Sequence, residues 1–364
     1  MNGRLSKKKT IDGILSADSE EDSYKICKNL GKKIIKNYSN SFFTVTRFLP
    51  KSKRDLVEII YGSVRFPDEI VDTFDLPSVE KHKMLENWKN KFLESNNHKD
   101  LKSLINNQIP VIISSYRKAA NEKKIPDECY LSFIEAMKKD IDVSEYQNMD
   151  SLINEYVYGS AIVVGYFLAY IYGPNKNKTV EDLLEPSKDL GIALQLTNFS
   201  RDVYEDYFRG RFYAPSNLIK KPKDKSELSG YVIKARKILA LEAENWYAKA
   251  EKGMDYFAPD SQIAIKTCLE LYRKLNSKIL NNEMPADYRY SLSLREKLSF
   301  LPIILAIHEI LSSIPFILFF SSKTLNSILV FFSCSKTFSG PISFSPIINV
   351  GFKDSTPSAD NALT

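Results

Sequence analysis

Along residues 24–300, apolar side chains recur every three or four positions. The clearest stretches are "DLVEIIYGSVRF", "SLINEYVYGSAIVVGYFLAYIYG", "DLGIALQLTNFSRDVYEDYF", "KARKILALEAENWYAKAEKGM" and "IAIKTCLELYRKLNSKIL". That spacing gathers them into a stripe on one face of an α-helix. Period-two alternation, the mark of a half-buried strand, is scarce, so the pattern predicts an all-α domain. Helices should break at "FDLPS", "KKIPDE", "YGPNKNK", "LIKKPKDKSELSG", "YFAPDS" and "NEMPAD", where Pro, Gly, Asn and Asp gather. No repeat of fixed period accompanies them.

Two segments depart from the amphipathic pattern. Residues 156–172 are apolar all round and include Gly159, Ala161, Gly165 and Ala169. Their helix would reach about 25 Å, marginal for a bilayer. A central core helix is the preferred reading, with its small residues making room for a long apolar ligand. Beyond residue 300 the chain changes character. Ile310 to Lys353 contains no Asp or Glu and is dominated by Ser, Phe, Ile and Leu. A membrane anchor across about 301–334 and an atypical tail outside the catalytic core both fit. The expected organisation is thus a charged extension over 1–23, a helical domain over 24–300 and a tail over 301–364.

Composition narrows the function without deciding it. The hydrophobic content of 43% and charged content of 26% suit a folded globular chain, and the net charge of +6 would suit an anionic ligand or a membrane surface. Basic residues are interspersed with acids rather than gathered in a patch, which argues against nucleic acid. Four widely spaced cysteines predict neither a disulfide framework nor a zinc site, and with them a reducing, cytoplasmic setting. The charged N-terminus lacks the apolar core of a secretion signal. Neither GxGxxG nor GxxxxGK[ST] occurs.

The chemistry concentrates in two acidic motifs. "VRFPDEIVD" places Asp68 and Asp72 four apart, with Arg65 one turn earlier. "LQLTNFSRDVYEDYFRGRFYAP" places Asn198, Asp202 and Asp206 at steps of four, with Glu205 beside them. Residues four apart share a helix face. Both faces sit in apolar or aromatic sequence, where unpaired carboxylates are costly. Two such faces call for cations. Mg²⁺, with Mn²⁺ as the alternative, takes few protein carboxylates and completes its shell with water and phosphate oxygens. Arg65, Arg201, Arg209 and Arg211 could clamp a diphosphate by charge-assisted hydrogen bonds. Gly210 would let the basic segment turn over it as a lid, with Tyr213 and Pro215 stiffening its return. Such a site favours departure of diphosphate from an allylic carbon. Phe42, Phe43, Tyr156, Tyr158, Tyr166, Phe167 and Tyr272 are available to line a pocket for the cation left behind.

These motifs resemble those of the squalene/phytoene synthase family, most of all its phytoene synthases. The match includes Gly191, Gln195, Asn198, Arg201, Asp202, Asp206, Gly210, Arg211 and Tyr213 in the second motif and Arg65, Asp68 and Asp72 in the first. It extends to Ser39, Ser41 and Phe42 in "YSNSFFTVTRFLP", Tyr156 and Gly165 in the apolar helix, and Tyr272 and Arg289 near the end. Pro67 and Glu69 depart from the family pattern, and the proline predicts a kink beside Asp68.

The resemblance implies a single large helical bundle of the isoprenoid-synthase type with a central cavity. It implies head-to-head condensation of two prenyl diphosphates, through a cyclopropyl diphosphate, to phytoene. Catalytic roles would fall to Asp68, Asp72, Asp202, Asp206, Tyr156 and Arg65. Diphosphate contacts would come from Ser41, Arg65, Gln195, Asn198, Arg201, Arg211, Tyr272 and Arg289, and metal ligands from Asp68, Asp72, Asn198, Asp202 and Asp206. Squalene or dehydrosqualene synthesis from farnesyl diphosphate is the alternative, with NADPH only for the squalene type. A non-catalytic assembly factor is a third reading, disfavoured by the intact acidic motifs. Peripheral membrane association would suit the lipid substrates.

Overall fold

The computed structural model describes residues 2–142 and 144–298. The tail expected over 301–364, with its anchor reading, lies outside the described residues. In chain order the helices are α1 Asn2–Ser16, α2 Glu20–Tyr38, α3 Asn40–Thr46, α4 Lys51–Asp72, α5 Ser78–Glu94, α6 Leu101–Asn106, α7 Val111–Lys123 and α8 Asp127–Lys139. They continue as α9 Met149–Leu152, a wide π-helical segment Ile153–Ile162, α10 Val163–Tyr172, α11 Val180–Phe208, α12 Lys225–Glu251, α13 Pro259–Asn281 and the short α14 Leu294–Leu298. Among the described residues the strands are β1 Ser144–Glu145 and β2 Arg211–Phe212, paired in parallel with Ser144 opposite Arg211 and Glu145 opposite Phe212. The all-α expectation holds.

Local chemistry sets the helix ends. Four helices begin directly after a proline: α4 after Pro50, α5 after Pro77, α7 after Pro110 and α8 after Pro126. Proline's fixed φ presets the extended entry, and its ring bars helix before that point. Thr179 closes a capping box with Asp182 at the start of α11. Ser39 caps α3, accepting from the Phe42 amide at 3.3 Å.

The long α11 is the axis of the bundle, packed against α10, the π-helical segment, α12 and α13. The contacts are tight where the sequence is small. A Cβ on Gly165 would lie 2.7 Å from the Ser187 carbonyl oxygen of α11, and one on Gly159 would lie 2.5 Å from the Ser132 carbonyl oxygen of α8. These glycines are used for backbone approach, which corrects the expectation that they make room for a ligand. Residues 149–172 are long and apolar enough to cross a membrane by length and composition, and half of the most apolar window is buried inside the protein. Phe167, Ala169 and Val163 are fully buried, as in a core helix.

Pro67 sits inside α4, yet the helix runs unbroken from Lys51 to Asp72. A residue with an N–H at position 67 would bond the Ser63 carbonyl; proline cannot. The Tyr130 hydroxyl, from α8, donates to that carbonyl at 2.8 Å, and it accepts in turn from the Trp88 indole at 3.0 Å. The orphaned acceptor is therefore satisfied from a neighbouring helix, and Asp68 and Asp72 follow within the same helix.

Candidate active site

The last two turns of α4 carry the first acidic wall. The Arg65 guanidinium pairs with Asp68 at 2.6 Å and with Glu69 on its own helix. Asp72 instead looks across to the chain that follows α11: Arg211 Nη1 donates to its Oδ1 at 2.8 Å, and Arg209 Nη1 lies 3.5 Å from its Oδ2.

The second wall is the C-terminal third of α11. Arg201 grips Asp202 with two bonds, Nε to Oδ1 at 2.8 Å and Nη2 to Oδ2 at 2.5 Å. Arg289, on the segment after α13, donates to the same Oδ1 at 2.9 Å and approaches Glu205 at 3.8 Å. Asp206 is 6% exposed, and the same Arg209 Nη1 that meets Asp72 lies 3.9 Å from its Oδ1. One guanidinium nitrogen thus touches both acidic helices, and the walls face each other.

The charge state is uneven. Burial pushes the Asp68 carboxyl up to about 6, against the pull of Arg65. Burial, and after it the Asp202 carboxylate, pushes Asp206 up to about 8. Burial works against Asp202 too, but the Arg201 and Arg289 guanidiniums hold it below the usual carboxylate range. Glu205 Oε2 is buried without a hydrogen-bond partner. Two acids forced toward neutrality and an orphaned carboxylate oxygen mark a site short of positive charge. Among the described residues, no three acid, histidine or cysteine side chains converge closely enough to chelate an ion alone. An all-oxygen donor set divided between two walls fits a hard divalent ion whose shell is completed by diphosphate and water.

The lid expected over 207–215 is tied down. Gly210 turns the chain at φ 74°, a conformation costly for residues with a Cβ. Arg211 and Phe212 then pair with the loop after α8, and the amides of Ser216 and Asn217 donate to the Tyr146 and Gln147 carbonyls at 2.9 and 3.0 Å. Gln195 and Asn198 lie on α11 in register with Asp202 and are partly exposed. Phe42 stacks on Tyr272 with centroids 5.6 Å apart and meets Tyr61 at 6.4 Å, with the partly exposed Ser41 next to it on α3.

A second aromatic group forms beneath the lid. Phe199 and Tyr213 stack at 3.9 Å, Tyr156 joins Tyr213 at 5.3 Å, and Tyr146 lies 6.0 Å from Tyr156. Three of the expected pocket aromatics are elsewhere. Tyr158 is 44% exposed, Phe167 packs against Tyr116 and Tyr130, and Phe43 lies under the Arg47 guanidinium.

Sequence reasoning missed Asp140. It ends α8, is 9% exposed, and receives the hydroxyls of both Tyr156 and Tyr213. Its surroundings, "KKDIDVSEY", belong to neither acidic motif, and only the tyrosines' positions in the fold give it partners.

The squalene/phytoene synthase family model matches residues 35–296. The 15-cis-phytoene synthase of Pantoea ananas is 26% identical over 275 residues, covering 72% of this chain and 86% of that protein. The 4,4'-diapophytoene synthase of Staphylococcus haemolyticus is 27% identical over 276 residues, covering 74% and 90%. Among solved structures, a dehydrosqualene synthase in complex with ligand superposes with a TM-score of 0.61 at 21% identity, covering 81% of this chain and all of that one.

Proposed function

The chain belongs to the squalene/phytoene synthase family and is a prenyltransferase, and from that premise we propose that it joins two molecules of geranylgeranyl diphosphate head to head to give phytoene. The observation that carries this reading is the Arg209 guanidinium shared by Asp72 and Asp206. It brings the two acidic helices and the basic lid together at one point.

In this reading Asp68, Asp72, Asn198, Asp202 and Asp206 would hold Mg²⁺, which when bound supplies positive charge against the departing diphosphate. Arg211 and Arg209 present donors from the lid and Arg201 and Arg289 from the second wall, each able to pass from carboxylate to phosphate oxygen. The family resemblance assigns diphosphate contacts to Arg65, Ser41 and Gln195 as well, and Arg65 pairs with Asp68. The C1–O bond breaks and the diphosphate keeps the electron pair. The allylic cation takes electrons from the second substrate's double bond, and one proton is lost as the cyclopropane closes. Departure of the second diphosphate, rearrangement to the C1–C1′ bond and loss of a second proton complete phytoene. Phe42 with Tyr272, and the Tyr156–Tyr213–Phe199 stack, offer ring faces to the positive charge, each worth about 0.5–2 kcal/mol. Three buried or partly buried cysteines, Cys27, Cys129 and Cys268, are free, which supports a cytoplasmic setting. Peripheral contact with a membrane would supply the lipid substrate.

The test is incubation of the full chain with Mg²⁺ and either geranylgeranyl or farnesyl diphosphate, with and without NADPH, followed by identification of the hydrocarbon. Phytoene from the longer substrate without NADPH supports the proposal. A product only from farnesyl diphosphate replaces it with the shorter-chain reading, and no diphosphate release from either removes it.

A further inference from the structure

Asp140 is a buried carboxylate that belongs to neither acidic wall and contacts the lid. Both of its oxygens are occupied: Oδ2 accepts the Tyr156 hydroxyl, and Oδ1 accepts the Tyr213 hydroxyl at 2.9 Å. Its backbone carbonyl receives Arg211 Nε at 3.3 Å and Nη2 at 3.2 Å, while Arg211 Nη1 reaches Asp72. Arg211 Nε also lies 4.0 Å from Asp140 Oδ1. The three partners come from two elements, Tyr156 from the π-helical segment and Tyr213 and Arg211 from the lid. One residue therefore ties the lid to the ring stack and, through Arg211, to the first wall.

A buried carboxylate costs several kcal/mol to desolvate, and this one is not needed to satisfy the tyrosines, which phenylalanines could replace at little packing cost. Its arrangement has a chemical consequence. A phenol has a single proton. With the Tyr156 proton directed to Asp140, the Tyr156 oxygen is left as an acceptor, and the rings of Tyr156 and Tyr213 gain electron density from the carboxylate behind their hydroxyls. The negative charge acts through space, while both carboxylate oxygens are occupied and so unavailable to attack a cation.

We infer that Asp140 is a positioning residue for the proposed reaction: by holding the Tyr156 and Tyr213 hydroxyls it fixes the aromatic stack that stabilises the carbocation after diphosphate leaves. The inference rests on the reading of the site as a prenyl diphosphate condensing centre. It predicts an effect on the chemical step and little on the metal–diphosphate contacts, since Arg211 is held by the main-chain carbonyl of residue 140, which a substitution leaves in place.

The experiment compares the full-length wild type with Asp140→Asn, Tyr156→Phe and the double variant, with three readouts. These are diphosphate release from geranylgeranyl diphosphate with Mg²⁺, calorimetric binding of Mg²⁺-pyrophosphate, and thermal melting. Asp140→Asn should lower kcat about 10- to 100-fold, as loss of an orienting partner does, with KM and pyrophosphate affinity within about threefold. The double variant should be no slower than the slower single variant, because the carboxylate acts through the phenol. Wild-type kcat in Asp140→Asn, or losses that multiply in the double variant, would overturn the inference and leave the proposed function standing. A wild type that releases no diphosphate from the C15 or C20 substrate would overturn both. Should Asp140→Asn fail to fold, Tyr156→Phe decides alone. A fall in kcat at unchanged KM and pyrophosphate affinity supports the inference, and an unchanged kcat overturns it.

Discussion

The two acidic walls carry similar residues at the same spacing and are held in opposite ways. On α4 the first carboxylate, Asp68, is paired within its own helix to Arg65, and the second, Asp72, is paired to the lid through Arg209 and Arg211. On α11 the first carboxylate, Asp202, is shared by its neighbour Arg201 and by Arg289 from the segment after α13, while Asp206 meets only the edge of Arg209. The first wall is therefore wired to the lid and the second to the C-terminal segment. Each aspartate of the two walls has a guanidinium near it, yet Asp68 and Asp206 are still pushed toward neutrality. In the proposed reading a metal-bound diphosphate would take over those guanidiniums while the metal supplied the missing positive charge, since buried carboxylates left alone would be expensive.

Substitutions can break this contrast or refine it. The largest effect is expected at Asp202, which takes three guanidinium bonds. Asp202→Asn should lower the rate of diphosphate release by about 1000-fold without unfolding the protein, measured by turnover and melting on one sample. Turnover near the wild-type rate would remove Asp202 from the metal set. Asp72→Asn should cost about 100-fold and, unlike the second-wall change, should raise KM because Arg209 and Arg211 lose their anchor. Equal KM effects from the two walls would erase the distinction drawn between them.

Tyr130→Phe tests the support of the first wall. It strands the Ser63 carbonyl that Pro67 cannot serve and the Trp88 indole, at a cost of about 1–3 kcal/mol, read as a lower melting temperature. An unchanged melting temperature would mean the helix does not need that bond. Arg289→Gln should have the smallest effect, under about fivefold on kcat/KM, since its side chain is 59% exposed. A loss as large as that of Asp202→Asn would show that the C-terminal segment is part of the site's core.

The helices and both acidic walls were legible in the sequence because each rests on spacing along a single helix. Asp202 and Asp206 share a face whatever surrounds them, and Gly210 announces a turn that the φ of 74° bears out. What depends on a partner from another element was not legible. Pro67 left the Ser63 carbonyl without its helical donor, and the Tyr130 hydroxyl that satisfies it arrives from α8. Gly159 and Gly165 looked like room for a ligand, yet they face the carbonyls of Ser132 and Ser187. Aromatic residues could be counted but not assigned to a side, so Tyr158 and Phe167 were expected in the pocket while Phe199 and Tyr146 were overlooked. The π-helical turn over 153–162 changes which residues share a face with Tyr156, and no spacing rule for an α-helix anticipates it.

The central claim, two opposed acidic walls that hold a diphosphate through divalent ions, is most directly tested by calorimetric titration of inorganic pyrophosphate into the full chain. The account predicts tight binding when Mg²⁺ is present, loss of that binding with a chelator, and loss when Asp72 and Asp202 are both replaced by Asn. Equally tight binding without Mg²⁺, or in a variant with both aspartates replaced, would contradict it.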